Sequence, residues 1–146
     1  MKKLFAAILS LLLSAAAAQA SLSETTYNEY NQTTSIPAYQ LFKAESPYHG
    51  NYQISVALNG NPDACEDGVA VVISWTDEEG AESRQISIND KQNGAGSPCN
   101  VNLATQANVF AIHNMPNTPV YVTVTLGTGG GSTPIYNLSV DALGFW

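Results

Sequence analysis

The chain has 146 residues, 45% of them hydrophobic, and sets five Lys and Arg against twelve Asp and Glu. This is enough for one domain with a core of its own. The acidity excludes nucleic acid and anionic lipid headgroups as partners, because phosphate recognition needs clustered Lys and Arg.

Residues 1–20 read as a cleavable export signal. Lys2 and Lys3 open it, Leu4 to Leu13 is an almost unbroken apolar run, and Ala18-Gln19-Ala20 gives the small-x-small pattern of a cleavage site. The run is short for a bilayer span, so the reading is a secreted or periplasmic protein beginning at Ser21, without membrane insertion. Processing leaves Lys43, Arg84 and Lys91 against the twelve acidic residues, a formal net charge of −9.

From residue 21 to 36 the composition is Ser, Thr, Asn, Gln and Glu with Tyr27 and Tyr30. Without an apolar period it reads as a polar arm or an edge segment preceding a domain over 37–146. Tyr52, Ile54, Val56 and Leu58 then alternate with smaller and polar residues, the period of a half-buried strand. Val69 to Trp75 is apolar on both sides and suits a central strand, followed by a charged hairpin turn at Asp77-Glu78-Glu79-Gly80. Ile86 and Ile88 continue the alternation, and Asn89 to Pro98 reads as a loop.

Leu103 to Asn108 fits a helical turn as well as a strand, ahead of the apolar stretch Ala107 to Ile112. Val120, Val122, Val124 and Leu126 alternate clearly, Gly127 to Ser132 reads as a hairpin loop, and Tyr136 to Ala142 supplies the last strand. About seven strands in one domain predict an all-β fold, a single antiparallel β-sandwich of jelly-roll type. The C-terminal alternation up to Trp146 also fits the last strand of an outer-membrane barrel. The strands are too few and too short for that closure.

Cys65 and Cys99 are the only cysteines, and both lie in turn-like contexts. In an oxidising compartment they are expected to form one disulfide. His49 and His113 have no close partner of metal-ligand spacing and read as surface histidines. Asp63, Glu66 and Asp67 precede Gly68, but Cys65 and Ser74 occupy the third and twelfth places of an EF-hand loop, so that motif fails. A calcium site built from these three acids and other loops is the alternative to solvated turn charges; no cofactor is otherwise implied. There is no Gly-x-Ser-x-Gly elbow, and the glycines at 129–131 lack the Lys of a phosphate cradle.

Aromatic rings beside acids point instead to binding. Trp75, Tyr121 and Asp77 are the candidate contacts for a sugar, through stacking and hydrogen bonds, although a Trp in a sandwich is more often a core plug and that reading of Trp75 takes the larger share. The sequence predicts a non-enzymatic exported module with a carbohydrate or another exported protein as partner. A structural subunit using its arm for strand exchange, forming an oligomer, is the second reading, and a periplasmic enzyme inhibitor the third.

Overall fold

The computed structural model describes residues 24–44, 50–88, 105–127 and 133–145, apart from the side chains of Glu24, Glu66 and Phe145. Residues 1–20, read above as an export signal, His49, Cys99 and the Asn89–Pro98 stretch read as a loop lie outside these residues. The elements are β1 (Glu24–Gln32), β2 (Ile36–Lys43), β3 (Gly50–Gly60), α1 (Pro62–Asp67), β4 (Val69–Asp77), β5 (Gly80–Ile88), β6 (Thr105–Asn114), β7 (Pro119–Leu126) and β8 (Tyr136–Phe145). No helix among the described residues is long and apolar enough to cross a membrane.

Two four-stranded antiparallel sheets face each other: sheet A in the order β1-β8-β3-β6 and sheet B in the order β2-β7-β4-β5. Of the seven connections, only the β4–β5 hairpin stays within one sheet. The threading is that of a jelly roll, and each sheet ends in two edge strands rather than closing as a barrel. Its interior follows from the alternation. Ile54, Val56 and Leu58 of β3 and Leu138, Val140 and Ala142 of β8 face Val69, Val71 and Ile73 of β4 and Val120, Val122 and Val124 of β7, all buried.

The described residues form eight strands, in keeping with a sandwich of about seven, and β1 and β2 both lie in sequence that lacks a strong apolar period. Of the two readings of the segment before residue 37, the edge segment is the one seen over Glu24–Gln32, which pairs with β8 as an edge of sheet A and turns Thr25, Tyr27 and Glu29 inward. β7 and β8 belong to different sheets, so they are not the two arms of one hairpin; residues 128–132 between them lie outside the described residues. The turn at Asn61 to Cys65 is a six-residue helix, α1, with Asn61 as its N-cap and Pro62 in its first turn. The ambiguous stretch before Ile112 is strand from Thr105 onward, paired residue by residue with β3.

Two asparagines fasten the crossovers. Asn61 Oδ1 accepts from Ala64 N–H (2.8 Å) and from Ile135 N–H (3.0 Å), so one side chain caps α1 and anchors the approach to β8. Asn114 is fully buried at the end of β6. Its Nδ2 donates to Thr118 O (2.8 Å), and its Oδ1 accepts from Thr76 N–H (3.2 Å), joining the β6–β7 turn to the end of β4. Met115 N–H donates to Thr76 O (2.8 Å) beside it. Gly127 donates its N–H to Gly68 O (2.8 Å), and a Cβ there would collide with the carbonyl of Asp67.

Replacing Asn114 with Ala leaves the Thr76 N–H and the Thr118 carbonyl without their side-chain partner at a part-buried site. Urea denaturation of Asn114→Ala is expected to give a loss of about 2–3 kcal/mol.

Candidate functional site

Trp75 lies on β4 at an inward position and is half-buried against the core. Its ring centroid is 6.2 Å from that of Phe110 on β6, so the two rings bridge the sheets along the side of the sandwich bounded by β5 and β6. The Arg84 guanidinium of β5 stands 5.2 Å from the Phe110 centroid, within cation–π range. The core-plug reading of Trp75 is therefore the one its surroundings match.

Asp77 closes the β4–β5 hairpin. Its Oδ1 accepts from the backbone N–H of Glu79 (2.8 Å) and of Gly80 (3.1 Å), and Gly80 takes a φ of +131°, which favours glycine. Tyr121 points the other way. It sits on the outer face of sheet B between Gln40 of β2 and Ser74 of β4, while Trp75, one residue beyond Ser74, points inward. The sheet does not bring Trp75 and Tyr121 together, because neighbouring positions of a strand face opposite sides.

On α1, the Asp63 carboxylate accepts from Asn61 Nδ2 (3.2 Å), and Asp67 is partly exposed at the helix end; the Glu66 side chain lies outside the described set. Among the described residues, no three His, Cys, Asp or Glu side chains are grouped as metal ligands. Cys65 is fully buried and disulfide-bonded, with no free cysteine among the described residues. His113 is on the outer face of sheet A, opposite Asn51.

Sequence reading missed a cluster on the other side of the sandwich. The rings of Tyr27 (β1) and Tyr39 (β2) lie 4.5 Å apart and join the two sheets where their edge strands meet. Tyr136, fully buried on β8, donates its hydroxyl to Thr34 O (2.8 Å) in the β1–β2 link. Burial, with the Glu29 carboxylate nearby, pushes the Tyr136 phenol up to about 12. Burial and a hydrogen bond to Glu29 raise Tyr27 further. The signal available was the inward spacing of Tyr27 and Glu29, hidden by the polar residues around them.

The outer faces differ from the rest of the molecule in charge. On sheet B, the cross-strand rows Thr123–Val72–Gln85 and Gln40–Tyr121–Ser74–Ser83 carry only uncharged side chains, and the outward positions of β4, β5 and β7 include no charged residue. On sheet A, the outward positions of β3, β6 and β8 include one, Asp141. The acids collect at the ends and flanks, on α1, in the Asp77–Glu79 turn and on the edge strands.

No family description and no curated protein matches the chain. Among solved structures it is similar to PRD1 vertex protein P5, with a TM-score of 0.50 and 9% identity over 86% of this chain and 96% of that one. It is also similar to the acidic stable capsid structure of Helicobacter pylori bacteriophage KHP30 (TM-score 0.47, 14% identity, 88% of this chain and 92% of that one). A third is Eiger TNF from S. frugiperda (0.44, 10% identity, 87% and 92%). At these identities the likeness is one of fold. The class it defines is the jelly-roll β-sandwich.

Trp75→Ala is expected to lower unfolding stability by about 2 kcal/mol, as a half-buried ring leaves the core; an unchanged urea midpoint would contradict its role as a plug. The phenols set a pH dependence. Raised folded-state values mean that stability is fully present below pH 10, the ordinary phenol value, and is lost as pH climbs through about 12. Tyr136→Phe should flatten part of that decline while leaving the share owed to Tyr27. Non-reducing peptide mapping is expected to recover Cys65 linked to Cys99, and reduction to cost about 3–4 kcal/mol of stability.

Proposed function

We propose that the chain is an exported, non-enzymatic structural module that acts by packing against other protein subunits. The observation that supports this is the scarcity of charge at the outward positions of β3 to β8, where Asp141 is the one charged residue, in a chain with twelve acidic residues. Solvated sheet faces ordinarily carry Lys and Glu, whereas the centres of protein interfaces are depleted in charge. The fold likeness to a viral vertex protein agrees with a structural role, although a 9% identity carries only the fold.

The carbohydrate reading loses its basis as a joint site. With Trp75 turned into the core, a sugar would meet Tyr121 alone on the outer face of sheet B, without a second ring to clamp it. The exchange of a free arm is also weakened, since β1 is already hydrogen-bonded into the chain's own sheet A.

Light scattering on a sizing column, using the oxidised chain from Ser21 onward, tests the proposal. The expected mass exceeds that of one chain and rises with concentration. A single-chain mass at every concentration, together with retention on a glycan array, would overturn it in favour of a carbohydrate-binding module.

A further inference from the structure

Among the described residues the two sheets have four edge strands, and three of them carry features that discourage pairing with another chain. β1 has a register break between Glu29 and Gln32 and contains acidic residues. β2 breaks register twice and contains Pro37 and Lys43. β5 contains Glu82 and Arg84. Bulges, proline and charge are the usual means by which an edge is kept from acquiring a neighbour.

β6 has none of them. Its ten residues, Thr-Gln-Ala-Asn-Val-Phe-Ala-Ile-His-Asn, include no formal charge, no proline and no glycine. All ten pair with β3 in one unbroken register, from Thr105 opposite Asn59 to Asn114 opposite Gly50. Val109, at its middle, is 59% exposed, the most exposed aliphatic side chain among the described large hydrophobics. A long, regular, uncharged edge of this kind is a template for another strand.

From this we infer that β6 is an association edge, on which β6 of a second copy pairs antiparallel and joins two copies of sheet A into one continuous sheet. Charge argues for a second copy as the occupant. Copies of a chain with formal net charge −7 repel one another, so they meet most readily along a strip without carboxylates. β2 and β6 are the edge strands that lack them, and β2 is interrupted by Pro37 and two register breaks, which leaves β6. The strand also suits a two-fold. A register centred on Val109 sets it against its symmetry mate and Ala107 against Ala111, with no charge opposed on either face. The inference rests on the assembly reading above and names its contact.

The test is sedimentation equilibrium of the oxidised chain from Ser21 onward, with Val109→Lys, Ala107→Lys and Leu143→Lys compared at matched melting temperature. Leu143 is 39% exposed on the same outer face but on β8, an interior strand of sheet A. The expected result is a two-chain species that Val109→Lys weakens about tenfold or more, because like charges then face each other across the two-fold. Ala107→Lys also weakens it, because it sets an ammonium opposite Ala111 on an edge where lysine discourages strand pairing. Leu143→Lys should leave it unchanged. If Val109→Lys fails to fold, Ala107→Lys decides. Assemblies untouched by the β6 lysines, or dissolved equally by Leu143→Lys, would overturn the edge contact and leave the assembly reading standing. A wild-type chain that sediments as a single copy at every concentration would overturn both.

Discussion

Period-2 alternation leaves every strand with one face that must be covered, and here six of seven connections carry the chain across to the opposite sheet to cover it. The two sheets are therefore interlocked by threading as well as by contact. A one-residue slip of β7 would turn Val120, Val122 and Val124 to solvent and bring Tyr121 and Thr123 into the core. Because β7 pairs with both β2 and β4, that slip would have to propagate through sheet B. Register, crossover and core are in this sense one constraint.

A sandwich of two open sheets still has two sides where the layers part, and the chain closes them differently. On the β1–β2 side, the rings of Tyr27 and Tyr39 meet and the Tyr136 hydroxyl donates a hydrogen bond to the Thr34 carbonyl, so aromatic rings do the sealing while the buried Tyr136 hydroxyl stays bonded. On the β5–β6 side, Trp75 and Phe110 fill the gap with the Arg84 guanidinium over the Phe110 ring. The first closure depends on neutral phenols, so alkali is expected to loosen it. The second uses a cation that stays charged at any accessible pH.

The strong alternation of β3, β4, β7 and β8 made the central strands, their inward residues and the all-β class legible in the sequence. The edge strands were not legible for a physical reason. An edge strand is covered less completely and tolerates polar residues at inward positions, so Thr25 and Glu29 of β1 mask the period that Tyr27 would otherwise reveal. β2 is obscured by its register breaks, which disrupt period 2 itself. At the candidate site, chemistry-bearing residue types were visible, but their facing only in part. Tyr121 lies between Val120 and Val122, so the alternation of β7 alone sets it on the polar face, whereas Trp75 ends a run that is apolar on both sides, and only the register of β4 turns it inward.

The placement of charge ties these points together. Acids at the strand ends serve local structure, as Asp77 does in capping its hairpin and Asp63 in meeting the Asn61 amide. At those positions they add negative potential at the ends and flanks of the sandwich, where screening at physiological salt confines it to roughly 8 Å. The sheet faces lie outside most of that field. On the proposed association, a copy arriving end-on would meet like charge, whereas one arriving along β6 would meet a strand without formal charge. The placement of acids would then filter approach geometry before contact, because like charges repel across the encounter distance while an uncharged edge does not.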